Sequence, residues 1–204
     1  MKKSVLLALL MLTAFCAKAQ VTVKPGIRAG ANFASFTGGN FDTKTDFYLG
    51  TFAAVKLTRF YTLQPEVTYS RQGAEATIYY QDYNTGNYMY EKADIDMQYL
   101  SLALINKFTL TNSVNLHVGP TLDFIVNRSP FADTDADVGI TAGAGYTLPF
   151  GLTIEARVKK GFVSVLNDYD YSYDGNDSYE YGSMTNIVYT LGVSYSFKVT
   201  GATK

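Results

Sequence analysis

Thr185-Asn-Ile-Val-Tyr-Thr-Leu-Gly-Val-Ser-Tyr-Ser-Phe-Lys198 is the stretch on which the fold turns. Ile187, Tyr189, Leu191, Val193, Tyr195 and Phe197 fall on one face of an extended chain. Asn186, Thr190, Gly192, Ser194, Ser196 and Lys198 fall on the other, with Val188 the exception. Successive side chains of a strand point to opposite sides, so alternation this long marks a strand with one apolar and one polar face.

The same reading extends upstream. In 114–126, Leu116, Val118, Pro120, Leu122, Phe124 and Val126 oppose Asn115, His117, Gly119, Thr121 and Asp123. Less pure alternation marks strands at 26–34, 46–57, 60–70, 94–107, 138–148 and 152–160. In 94–107, Ile95 and Met97 give way out of phase to Leu100, Leu102 and Leu104, which predicts a bulge or a strand mouth above a membrane. No stretch keeps the i, i+3, i+4, i+7 spacing of a helix, and after residue 20 none is apolar for long enough to make a transmembrane helix.

These eight strands alternate between long connections (35–45, 71–93, 127–137, 164–183) and short ones (near 58–59, 108–113 and 149–151). Short periplasmic turns and long extracellular loops are the layout of an outer-membrane barrel. The expected fold is therefore all-β, an eight-stranded antiparallel transmembrane β-barrel located in the cell outer membrane. Closure has a physical cause, because every backbone N–H and C=O must find a partner inside lipid.

The polar face carries Arg28, Lys56, Glu66, His117, Asp123, Glu155 and Arg157. A basic side chain held against lipid near the midplane costs about 2–4 kcal/mol, so these groups are expected in the lumen as one charge network. A soluble barrel of the lipocalin kind would reverse the polarity. Against it, Tyr61, Tyr69, Phe124, Tyr146, Tyr195 and Phe197 sit near strand ends on the apolar face, as interfacial girdles require.

Export is read from the start of the chain. Lys2 and Lys3, the apolar run Val5–Ala14 and Ala17-Lys18-Ala19 form a signal peptide over 1–19, leaving a barrel domain at 20–204. Phe15 before Cys16 is too bulky for the small residue that lipid attachment needs. Losing Lys2, Lys3 and Lys18 and no acid turns 17 basic against 18 acidic residues into 14 against 18. No basic stripe is left for nucleic acid.

Several motifs resemble the PorT-like outer-membrane β-barrel family of Bacteroidetes, along nearly the whole mature chain. They are Lys24-Pro25-Gly26-Ile27-Arg28-Ala29-Gly30, Leu63-Gln64-Pro65-Glu66 and Tyr99-Leu100-Ser101-Leu102-Ala103-Leu104, the last with Ala103 where proline is usual. Gly143-Ala144-Gly145-Tyr146, Gly151-Leu152-Thr153-Ile154-Glu155-Ala156-Arg157 and Gly192-Val193-Ser194-Tyr195-Ser196-Phe197 complete the set, with Val158 in place of the usual tyrosine. The resemblance implies the barrel and its location. It also offers a role as a subunit of a protein-export apparatus.

His117 is the only histidine, so acid–base or metal chemistry would have to pass through it. It reads instead as a lumen histidine, no metal or cofactor is implied, and the barrel is not an enzyme. Residues 168–180 have a calcium-loop start (Asp170, Ser172, Asp174, Gly175) but place Tyr181 where the closing glutamate belongs, and read as a solvated acidic loop. Ten of the 17 tyrosines lie in or beside the second and fourth long loops, among them Tyr79, Tyr80, Tyr83, Tyr169, Tyr171 and Tyr173. Tyrosine among small polar residues suits recognition of an envelope protein or a glycan. Strands continuing past the membrane, with tyrosines stacked across them, would give the same composition. The expectation is a monomer bound to outer-membrane lipid whose loops carry its function. A lipid-modifying enzyme and a narrow pore are the other classes.

Overall fold

The computed structural model describes residues 22–37, 41–81, 88–127, 134–165 and 184–197. Eight strands run in chain order: β1 (Thr22–Thr37), β2 (Phe41–Lys56), β3 (Tyr61–Gln81), β4 (Tyr88–Thr109), β5 (Val114–Asn127), β6 (Ala136–Thr147), β7 (Leu152–Ser164) and β8 (Thr185–Ser196). Each pairs antiparallel with its neighbours, and β1 pairs with β8, from Gly26↔Ser196 to Thr37↔Thr185, to close the barrel. The short connections are 57–60, 110–113 and 148–151, all at the end where β1 begins and β8 finishes.

The alternation read in the sequence is the wall of this barrel. Ile27, Leu49, Val67, Leu102, Leu116, Ile140, Ile154 and Leu191 are exposed on the outside. Arg28, Gln64, Glu66, Ser101, His117, Thr141, Glu155 and Ser194 are buried inside. Near the short turns the apolar wall ends in aromatics. Tyr61 lies against Phe108 (5.4 Å between centroids) and Tyr195 against Phe197 (5.5 Å). Phe47 beside Tyr69 marks the other edge of the band.

Beyond that edge the polarity of the wall exchanges sides. Phe36, Ala74, Ile95, Met97, Tyr99 and Val165 form an apolar core inside the barrel, with Phe41, Ile125 and Met184 against it. Charges take the outside: Lys44 bridges to Asp96 at 2.6 Å and Asp94 at 3.6 Å, and Arg71 to Asp46 at 3.2 Å. Burial pulls the Lys44 ammonium down, but the hydrogen bond to Asp96 and the nearby carboxylates hold its pKa above the ordinary lysine value. A wall that faces water outside and closes on itself inside is what a strand needs above the bilayer.

Of the two readings of β4, a bulge or a strand mouth above the membrane, this exchange bears out the second. Ile95, Met97 and Tyr99 point inward and Asp94, Asp96, Leu100, Leu102 and Leu104 outward in one unbroken alternation. A bulge is present too, on β5, where the pairing steps from Gln98↔Asn127 to Tyr99↔Ile125. The expected loops 35–45 and 71–93 are corrected. β1 and β2 continue into the first, and β3 and β4 stay paired as far as Gln81↔Tyr88 in the second. The proposed signal segment 1–19 and the acidic loop 168–180 lie outside the described residues.

Candidate functional site

The lumen is built from strands at opposite sides of the sheet. β1 supplies Arg28, β3 supplies Glu66, and β7 supplies Glu155 and Arg157, two residues apart and so on one face. Arg157 grips Glu66 through two parallel bonds of 2.9 Å and reaches Glu155 Oε2 at 3.0 Å. Arg28 donates to Glu66 Oε2 at 2.5 Å and to Glu155 Oε1 from Nε at 3.0 Å. Gln64 donates to Glu66 at 2.8 Å, and the Arg28 guanidinium stacks 4.7 Å over the Tyr48 ring. Two guanidinium groups and two carboxylates thus neutralise one another with charge-assisted bonds, across a lumen only as wide as its side chains. Glu66 is 2% exposed and Arg157 6%.

Glycines make the room for this. Gly30 and Gly192 face each other across the β1–β8 seam, and a Cβ on Gly192 would strike the Tyr48 hydroxyl and the β1 backbone. Gly192→Val is expected to destabilise the barrel by about 1–3 kcal/mol through overpacking. The check is the temperature at which the folded band disappears on a gel, and an unchanged temperature would mean that Tyr48 can move aside.

The predicted network residues divide. Arg28, Glu66, Glu155 and Arg157 come together as one cluster. Asp123 is held apart, paired at 2.7 Å with Lys159, whose ammonium lies 5.6 Å over Tyr99. His117 is buried with Nε2 against Asn115 Oδ1 and Nδ1 without a protein partner. Asp123 stands about 20 Å further along β5, too far to form an acid–base pair with His117. Lys56 ends β2 and is exposed on the rim, because the strand there has passed beyond the packed lumen. Tyr79 and Tyr80 have their backbone in β3, in a register that sets Tyr79 opposite Tyr90. Tyr83, Tyr169, Tyr171 and Tyr173 lie outside the described residues.

Lys159, Gln64 and Tyr48 went unread as network members. Lys159 and Gln64 could have been found by parity alone, since both share a face with the named charges. Above the cluster lies a cavity of about 60 Å³ bordered by Asn32, Tyr48, Ser101, Thr121 and Arg157. Each of these contributes a buried polar atom with no protein partner, and the space suits a few ordered waters.

A closed eight-stranded barrel with an apolar waist, aromatic collars and a charge-locked lumen is a membrane barrel of the outer-membrane class. The chain belongs to the outer membrane protein β-barrel domain family, whose model matches residues 5–197. The protein is accordingly an outer-membrane protein. Its fold is shared with Neisserial surface protein A, 15% identical over 86% of this chain and 97% of that one, with a TM-score of 0.50. Ail of Yersinia pestis, solved with the heparin analogue sucrose octasulfate, is 12% identical over 87% and 99% with a TM-score of 0.46. OprG of Pseudomonas aeruginosa is 11% identical over 87% and 95% with a TM-score of 0.42. No curated protein matches the chain by sequence.

Proposed function

We propose that this is a non-catalytic outer-membrane barrel that acts through the part of its wall standing outside the bilayer. The observation that carries this reading is the β3–β4 ribbon. Its pairing runs from Arg71↔Gln98 to Gln81↔Tyr88, about 33 Å along the strands. β2 accompanies it only as far as Phe41↔Ala76. Among the described residues β5 accompanies it only to Asn127↔Gln98. A ribbon of that length does nothing for the membrane anchor, and its register brings Tyr79 opposite Tyr90, a tyrosine-bearing stretch of the kind that suits an envelope protein or a glycan. The lumen supports the same reading, because among the described residues its charge cluster fills the bore with ion pairs and His117 stands about 20 Å along β5 from Asp123.

The test is a pull-down from outer membranes with the intact protein and with a variant in which residues 77–92 are replaced by a tight Asn-Gly turn. The barrel should still fold and shift on heating, while captured partners or glycans are lost. Identical capture by both proteins would refute the reading. Recovery of secretion components by the intact protein alone would assign it to an export apparatus, the role implied by the PorT-like resemblance.

A further inference from the structure

The mouth of the lumen beside the short turns carries a surplus of positive charge. One row of lumen-facing positions crosses four strands there, since Lys56 pairs with Thr62, Thr62 with Lys107 and Lys107 with His117. Neighbouring strands are about 4.8 Å apart, so the Lys107 and His117 side chains leave the wall side by side. Lys24 also faces inward, in step with Gly26 and Arg28, and is exposed at the opening together with Lys56. Among the described residues, the carboxylates in this half of the barrel are Glu66 and Glu155, both shared between Arg28 and Arg157. Lys107 is left half-buried, and among the described residues it has no ion-pair partner.

His117 adds a second atom without a partner. The residue is 2% exposed, and its Nε2 lies against Oδ1 of Asn115. The Asn115 amide nitrogen is engaged with Thr147 Oγ1 at 3.2 Å, which fixes the oxygen as the atom that faces the ring. An amide oxygen only accepts, so the proton of the neutral ring is on Nε2. Nδ1 is then a bare lone pair, buried and with no protein donor. On β6 the positions opposite Asn115 and His117 are Gly145 and Gly143, so no side chain of that strand fills the space beside the ring. An ammonium with only donors thus stands next to a nitrogen that only accepts.

Few anions satisfy both atoms. Chloride and sulfate carry no proton and would set a lone pair against Nδ1. A phosphate monoester has a second pKa near 6, so above neutral pH it too has lost its phosphoryl O–H. Inorganic hydrogen phosphate keeps one O–H beside its anionic oxygens, and its double charge matches the surplus of lysines. We propose that the mouth of the lumen binds inorganic phosphate between Lys107 and His117. The O–H of the anion donates to His117 Nδ1 while its charged oxygens accept from Lys107. Lys24 and Lys56 draw the anion in, as like charges lining an opening raise the local concentration of a counter-ion. The phosphate comes from the periplasm, the side on which short turns lie in such barrels.

The experiment uses the full chain folded in an uncharged detergent, slightly above neutral pH, and titrated calorimetrically with inorganic phosphate, sulfate or methyl phosphate. The wild type should bind phosphate about tenfold more tightly than the other two, which have no O–H to give Nδ1. Lys107→Met should weaken phosphate binding about tenfold or more and still shift on heating, because it removes a cation that lacks a partner. His117→Phe should bring phosphate down to the level of sulfate and leave sulfate unchanged. Lys24→Gln and Lys56→Gln should weaken both ions alike, and more at low salt. No binding of phosphate by the wild type, or equal binding of phosphate and sulfate, overturns the proposal. So does undiminished phosphate binding by Lys107→Met, which would place the ion elsewhere. Loss of the heat shift in Lys107→Met overturns it as well, since the lysine would then be holding the barrel together.

Discussion

Glu66→Ala is expected to weaken the barrel by about 3–5 kcal/mol, the usual cost of removing one partner from a buried ion pair. The size follows from the geometry. Glu66 receives both parallel bonds from Arg157 and one from Arg28, so its loss leaves two guanidinium groups sharing Glu155. The measurement is the urea midpoint in vesicles, followed by the gel shift. Glu66→Ala combined with Arg157→Ala should be less harmful than the sum of the two single changes, because the double variant no longer buries an uncompensated cation. A midpoint equal to wild type for Glu66→Ala would mean that water in the lumen screens the cluster.

Leu102→Arg is the second large effect, at about 2–4 kcal/mol if Leu102 lies near the bilayer midplane. Leu102 is 41% exposed on the outer face of β4. Asp96 points to the same side of the same strand, nearer the ribbon, with its carboxylate 62% exposed. Asp96→Arg should cost no more than a surface ion pair is worth, about 0–1 kcal/mol, since only the bridge to Lys44 is lost. The two variants therefore bracket the membrane boundary between residues 96 and 102. Equal urea midpoints for both in vesicles would show that the boundary is misplaced.

How much of this was legible in the sequence depends on height in the membrane. β5 and β8 were read nearly to their ends because each crosses the band with lipid on one side and polar lumen on the other. Val188, the exception in β8, is buried beside Ala34, at the level where the interior turns apolar. β4 looked out of phase for the same reason, since exchanging inside and outside polarity leaves the same pattern as a slip of one residue. Residues 71–93 of the β3–β4 ribbon look like loop because Gly, Asn, Asp and Tyr are spread through them, although Ala74, Ile95 and Met97 of the ribbon pack inside the barrel mouth. In the lumen, the four charges of the cluster were legible from parity and cost. Their partners were not, because Asp123 meets Lys159 only through the register of three strands, and Lys56 leaves the network by lying a few residues past the packed lumen.

The charge cluster also bears on the order of folding. Arg28 and Glu155 are separated by 127 positions in the chain, and they meet only when β1 has found β8. Neighbouring hairpins such as β3–β4 can zip early, since their loop-closure cost is small. The cluster is therefore expected to form late, after the transition state. Contacts of that kind leave the folding rate nearly untouched and slow unfolding instead. The arginines and glutamates of the lumen act as a latch in time, and the protein's persistence in the envelope is set by how rarely that latch lets go.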